Sequence, residues 1–276
     1  RQLYDSKISQ LEETSIIDLV PNIQKQGMKW LLKNMDTDDK NLLSTSFLID
    51  NCNYAYEAWD NTPWGRVDES LFLEYILPFS SLNERRDNWR QDFYERFFPI
   101  VKNAKSAYEA AAILNNNIFE MVGVIYSTKR PKADQSPYES IEAGLASCTG
   151  LSFMLIDACR SVGIPARFVG TPMWYNNSGN HSWVEIWDNG WHFTGAFEPT
   201  GDRLNEGWFA SLAARAVEGH PEYGIYAATW KKTGVFFPMD WKPGIEKYYA
   251  YDVTSSYQKY LDDNFISLRI KVVGKN

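Results

Sequence analysis

The spacing of apolar residues changes along this chain, and each change predicts a different kind of element. Over roughly the first hundred residues the spacing is helical. Leu43, Phe47, Ile49, Tyr54 and Trp59 form an imperfect helical stripe across Asn41 to Trp59, and Asn61-Thr62-Pro63-Trp64-Gly65 breaks it. Ser70 to Leu77 predicts a short amphipathic piece that stops before Pro78. Trp89 to Val101 and Ser106 to Val122 predict two further helices, with Ser106 as the cap of the second. Ser127 to Tyr138 contains Pro131, Asp134 and Pro137 and reads as a loop. Beyond it, Leu151, Leu155, Ala158 and Val162 recur at spacings of three and four, and Gly163 stands where a helix stop belongs.

The pattern then turns to strands. His181 to Trp187 is rich in β-branched and aromatic residues. Asn189-Gly190 follows, a strong hairpin signal, and Trp191 to Glu198 reads as the return strand. A helix is expected over Asn205 to Val217, then an irregular aromatic-rich stretch to about Tyr260. Phe265 to Val273 alternates like a strand. That tail is either an edge strand or the first strand of a following β module. The expected division is a helical N-terminal region over 1–104, an α+β core over 105–262 and a terminal strand over 263–276.

Composition narrows the function classes. Hydrophobic residues make up 44% and charged residues 23%, which is ordinary for a globular chain and argues against extended disorder. The net charge of −7, with basic residues scattered, gives no support to phosphate-backbone binding, so no nucleic-acid partner is expected. No apolar run approaches the ~20 residues of a membrane helix. The chain starts at Arg1 without Met, as expected of an exported protein whose signal segment has been removed; a periplasmic, cell-surface or extracellular location is the expectation. Eleven Trp, 16 Tyr and 15 Phe supply a core and also permit a groove lined with rings.

Cys52, Cys148 and Cys159 make neither a disulfide framework nor a zinc motif, and no metal or cofactor is expected. Cys52 and Cys159 lie within helical patterns and fit the ordinary fate of a free cysteine, a small buried hydrophobe. Cys148 is placed differently. It opens the helix of Leu151 to Val162, with Ser147 or Thr149 available as N-cap. A thiol in the first turn meets the positive end of the helix dipole and unpaired N–H groups, which favour thiolate. The same N–H groups suit an oxyanion.

Of the three histidines, His181 opens the first strand of the hairpin. If Asn189-Gly190 is a two-residue turn, Asp188 faces Trp191, Trp187 faces His192, Glu185 faces Thr194, Trp183 faces Ala196, and His181 faces Glu198. A carboxylate beside an imidazole fixes its tautomer and stabilises its charged form. The opposite face then carries Val184, Ile186, Phe193 and Phe197 as the core side. A structural ion pair is the plain alternative for His181 and Glu198, and a one-residue slip in the turn would break the geometry.

Taken together, Ser147-Cys148-Thr149-Gly150, Gly163-Ile164-Pro165-Ala166-Arg167 and His181-Ser182-Trp183-Val184-Glu185 resemble the transglutaminase-like superfamily over about Ala143 to Thr200. The stretches Leu71 to Arg90 and Gly195 to Pro199 resemble secreted multidomain bacterial members of that group. The resemblance implies a papain-like α+β fold, with the cysteine at a helix start packed on an antiparallel sheet. It implies that Cys148 is the nucleophile, His181 the general base and acid, and Glu198 the third residue. The family usually has Asp in that third role, in an Asp-Pro-Thr-like context; here Glu198-Pro199-Thr200 stands there instead.

The expected activity is therefore acyl transfer from an amide through a thioester, on a peptide, protein or glycopeptide. The acceptor is water in a peptidase or amidase and an amine in a crosslinking enzyme, and hydrolysis is the favoured case. Trp174, Trp183 and Trp208 are candidate substrate-binding residues. A different class of function is a module that has lost turnover and holds a peptide or glycan on an aromatic surface including Trp174, Tyr175, Trp208 and Trp230. A structural domain of a surface protein is a third.

Overall fold

Short polar residues start most of the helices in the first half of the chain. The computed structural model describes residues 5–261, so the expected strand at 263–276 lies outside the described residues. The helices there are α1 (Glu13–Ile17), α2 (Lys25–Asn34), α3 (Thr37–Leu42), α4 (Thr45–Asp60), α5 (Glu69–Tyr75), α6 (Arg90–Val101) and α7 (Ala107–Val122). Asp36, Ser44, Asp68 and Ser106 each accept a hydrogen bond from a backbone N–H of the first turn they cap, at α3, α4, α5 and α7. The helices expected around 41–59, 70–77, 89–101 and 106–122 are all present. Residues between Ile8 and Phe79 form one hydrophobic cluster, while α6 and α7 pack into a second one with the sheet.

The second half is β1 (Ile125–Tyr126), α8 (Pro137–Ala143), β2 (Leu145–Ala146), α9 (Cys148–Ser161), β3 (Ala166–Thr171), β4 (His181–Trp187), β5 (Trp191–Thr194), α10 (Ala210–Ala213), β6 (Tyr226–Thr229), β7 (Tyr249–Asp252) and α11 (Thr254–Tyr257). β1 and β2 form a small parallel pair, and the other strands an antiparallel sheet in the order β5-β4-β3-β6-β7. Helix α9 lies against β3 and β4, and every residue from Thr149 to Ser161 is buried. Its end is set by Gly163, in a left-handed conformation (φ 82°) open to glycine, as the sequence predicts.

The hairpin is present, but its register differs from the expected one by a residue. Trp187 pairs with Trp191, Ile186 with His192, Glu185 with Phe193 and Val184 with Thr194. The turn holds three residues, Asp188, Asn189 (φ 55°) and Gly190 (φ 154°), because Asp188 is engaged elsewhere. Its carboxylate accepts the backbone N–H of Tyr108 at 2.9 Å, in the first turn of α7. The slip carries Phe193 to the side of Trp183 and Phe209 and leaves Phe197 39% exposed, outside the core side expected for both. Val184 and Ile186 stay in the core beneath the sheet.

Other departures have local causes. The helix expected over Asn205 to Val217 shrinks to α10, because Asn205 (φ 63°) pairs with the edge strand instead. Its N–H donates to the Phe193 carbonyl and its Oδ1 accepts the Phe193 N–H. The stretch read as a loop to Tyr138 ends earlier, at a capping box in which Ser136 and Glu139 bond each other's backbone N–H groups to start α8. β6 and β7, four residues each, run through the stretch read as irregular.

Candidate active site

Cys148 is the first residue of α9, with Ser147 as its N-cap: the Ser147 hydroxyl accepts the Gly150 N–H at 3.1 Å and donates to the Ala133 carbonyl at 2.6 Å. Thr149 and Ser182 share a hydroxyl–hydroxyl hydrogen bond at 3.2 Å, which ties the start of α9 to the start of β4. That tie brings the Cys148 thiol beside the His181 ring. Burial alone would raise the thiol. It is outweighed by the hydrogen bond and charge of His181, helped by the N–H groups of Ser182 and Thr149, and the pKa lies below the ordinary value.

His181 is 6% exposed. Burial works against its charged form, but the contacts with Cys148 and Glu198, and their charges, outweigh burial and raise its pKa to about 9. Nε2 lies 3.4 Å from Oε2 of Glu198, an ion-pair distance at which the two are not aligned as a hydrogen bond, and neither atom has another hydrogen-bond partner. A lowered cysteine beside a raised histidine is the signature of a thiolate–imidazolium pair.

Glu198 reaches His181 by a route other than the expected one. The ladder stops at Thr194, and the chain then turns back, with the Glu198 N–H bonded to the Gly195 carbonyl at 3.1 Å and Phe197 left-handed at φ 65°. The carboxylate therefore arrives from a turn, not from a cross-strand position.

A floor of rings holds the imidazole. The centroids of Phe209 and Trp183 lie 4.8 and 5.9 Å from that of His181, and Trp174 stacks on Trp183 at 6.1 Å. The Trp183 indole N–H donates to the Tyr257 hydroxyl at 2.7 Å, which donates to Glu185 at 2.6 Å; Glu185 in turn pairs with the buried Arg167. Trp174 and Trp183 are buried beneath His181, whereas Trp208 is 59% exposed with its ring 4.9 Å from the imidazole. Of these tryptophans, Trp208 is the one at the surface.

Tyr126, Cys148, Asn180, His181, Glu198 and Trp208 line a cleft of about 320 Å³. Tyr126 reaches it because β1 pairs with β2 immediately before Cys148. Asn180 is hydrogen-bonded to Asp240, which lines a larger cavity of about 590 Å³ walled by Met173, Phe236, Phe237, Pro238 and Met239. The supporting residues Phe209, Tyr126 and Asn180 are not evident from sequence: Phe209 falls in a stretch read as a longer helix, and Tyr126 and Asn180 in stretches given no element. His192 and His220 stand apart: His192 bonds Asn205 and the Asp188 carbonyl, and His220 accepts the N–H groups of Glu222 and Tyr223. Among the described residues no cluster of His, Cys, Asp and Glu could hold a metal ion, and no helix is long and apolar enough to cross a membrane.

Residues 96–196 match the family model described as the transglutaminase-like superfamily. The matched segment contains Cys148 and His181 and ends two residues before Glu198. The fold class read from the sequence stands: helices around an antiparallel sheet, with a transglutaminase-like core. A solved structure described as "a Putative Cysteine Protease from Cytophaga hutchinsonii" is similar with 18% identity and a TM-score of 0.38, over 48% of this chain and 44% of that one. The similarity thus spans less than half the length of either chain. No curated protein matches the sequence.

Proposed function

We propose that this protein is a cysteine hydrolase that cleaves an amide bond in a peptide or protein. The observation that carries the reading is the meeting in one cleft of Cys148, at the start of α9, with His181 and Glu198, whose contacts push the thiol down and the imidazole up to about 9. A structural cysteine in a core is displaced the other way.

The steps follow from the side chains present. The Cys148 sulfur attacks the amide carbonyl carbon, and the C=O electron pair moves to oxygen. Free N–H groups at the start of α9 stabilise that oxyanion. As the C–N bond breaks, the His181 imidazolium gives its proton to the leaving amine, and a thioester remains. Neutral His181 then takes a proton from water as the water attacks the thioester. Collapse of the second oxyanion expels the Cys148 sulfur as thiolate, which reforms the pair with imidazolium. Glu198 stabilises the imidazolium throughout. Water is favoured as acceptor because the cleft opens to solvent beside the exposed Trp208. The neighbouring apolar cavity suits a substrate with a hydrophobic side chain near the scissile bond.

The test is the pH dependence of iodoacetamide labelling with peptide mapping, on the wild type and on His181→Ala. It is followed by digestion of a peptide library in ¹⁸O-water, with and without an added primary amine. Selective labelling of Cys148 with an apparent pKa well below ~8.5, and ¹⁸O in new carboxyl termini, are expected. Slow labelling that ignores His181 would sink the enzyme reading in favour of a binding module, and amine incorporation without ¹⁸O would make the protein a transferase.

A further inference from the structure

The carboxylate of Glu198 is folded back over Gly195. A Cβ at position 195 would lie 2.2 Å from Glu198 Oε2 and 3.0 Å from both Cβ and Cδ of that side chain. Gly195 does not have the left-handed backbone that itself calls for glycine. Its missing side chain is instead the space the longer acid occupies. A glutamate has one methylene more than an aspartate, and this fold-back shortens its reach so that Oε2 still stops 3.4 Å from His181 Nε2.

The turn that does this has lost its ladder partners, and a buried side chain of α7 replaces them. Asn115, 3% exposed, donates through Nδ2 to the Thr194 hydroxyl at 2.9 Å and to the Gly195 carbonyl at 2.8 Å. Its Oδ1 accepts the Phe197 N–H at 2.9 Å. One amide thus grips the turn on both sides of Ala196 and holds Phe197 in a conformation that a non-glycine residue seldom adopts. The Phe197 ring packs edge-on against Phe119, also on α7, with centroids 5.5 Å apart.

We propose that Asn115 and Gly195 are positioning residues that fit a glutamate to the place of the third catalytic residue, Asn115 by fixing the turn and Gly195 by leaving room for the folded carboxylate. This rests on the reading of Glu198 as partner of the His181 imidazolium.

The experiment is an NMR titration of the His181 ring protons, assigned with His181→Ala, in the wild type, Glu198→Gln, Gly195→Ala, Asn115→Ala and the double variant Gly195→Ala/Glu198→Gln. Loss of the carboxylate should lower the His181 pKa by about one unit or more, the usual effect of removing a close opposite charge. Gly195→Ala and Asn115→Ala should each reproduce most of that fall. Gly195→Ala should add nothing once residue 198 is glutamine, which a merely structural role would not predict. Should Asn115→Ala fail to fold, Gly195→Ala carries the test alone. If Glu198→Gln lowers the pKa while Gly195→Ala leaves it at the wild-type value, the positioning proposal is wrong although the site reading stands. If Glu198→Gln itself changes nothing, the reading of Glu198 falls, and the positioning proposal with it.

Discussion

The two ends of helix α9 carry a cysteine each, and the fold treats them in opposite ways. At the N-terminal end Cys148 is partly exposed, hydrogen-bonded by N–H groups and paired with an imidazole, and its pKa is pushed down. At the other end Cys159 is buried with no compensating partner strong enough, and burial pushes its thiol up; Cys52, in α4, is pushed up to about 12 for the same reason. The thiol is chemically identical in all three. What differs is that Cys148 has a hydrogen-bonding imidazole and backbone donors, whereas Cys159 and Cys52 feel only the charge of Arg160 and Arg90, which burial outweighs.

The polar group at the far end, Arg160, is structural. It donates to the Tyr75, Pro78, Ser80 and Ala166 carbonyls at 3.0 to 3.2 Å. Those carbonyls belong to the chain leaving α5 and to the start of β3, so a side chain of α9 joins the helical region to the sheet. The largest effect expected is accordingly from Arg160→Met, which strands these carbonyls in the core. A loss of about 3–5 kcal/mol in urea unfolding is expected, by analogy with breaking other buried charged partners. A loss below about 1 kcal/mol would show that this end of the helix is less dependent on its cation than the geometry implies.

At the Cys148 end, His181→Ala should slow iodoacetamide labelling of Cys148 at pH 7 by up to about thirtyfold, as the apparent pKa returns toward the ~8.5 of a free thiol. The proposed hydrolysis should fall as pH rises through about 9, where the raised His181 gives up its proton. The sign for stability is the same. A histidine raised in the folded state contributes fully below its unfolded pKa of ~6.5, and that contribution drains away up to the folded value. The lowered Cys148 works in the opposite sense up to its unfolded value of ~8.5. In denaturant unfolding the difference between wild type and His181→Ala should therefore close between about pH 8.5 and 10, and a gap that widens over that range would contradict the pairing.

A smaller change is expected from Ser147→Ala, which removes the cap of α9 and should cost about 1 kcal/mol. It should also slow Cys148 labelling slightly, as the first turn loosens. The smallest effect is a control: Cys52→Ala and Cys159→Ala should leave labelling of Cys148 in the native protein unchanged, and native Cys159 should label only as the protein unfolds.

Local signals made one half of the site readable in the sequence. The position of Cys148 follows from a periodic stripe that ends at Gly163, and His181 from a strand bounded by Asn189-Gly190. These depend on neighbours close in the chain. Glu198 lies beside His181 by a path other than the cross-strand one read from the sequence, because the turn length is decided by Asp188 binding the first turn of α7, a partner eighty residues away in sequence. The ring floor hid for a similar reason. Phe209 lies where Asn205 abandons a helix to satisfy an edge strand, and that choice is made by Phe193. Trp183, two residues from His181 on one strand, shares its side as the alternation predicts, but Trp174, outside any strand, gave no signal that it would stack beneath Trp183. Contacts distant in sequence decided the path of Glu198 and the place of Phe209.

Because Arg160 anchors α9 at its C-terminal end, the helix behaves as a rigid lever with its pivot in the core and its working tip at Cys148. The tip stands twelve residues from the anchor, about 18 Å along the axis. Deleting one residue anywhere between them would draw the tip back by only about 1.5 Å but swing it through about 100°. The sulfur would then point away from the imidazole while the anchor, the sheet and most of the core stayed in place. The length of this helix is thus constrained in single-residue steps, whereas its composition need only remain buried.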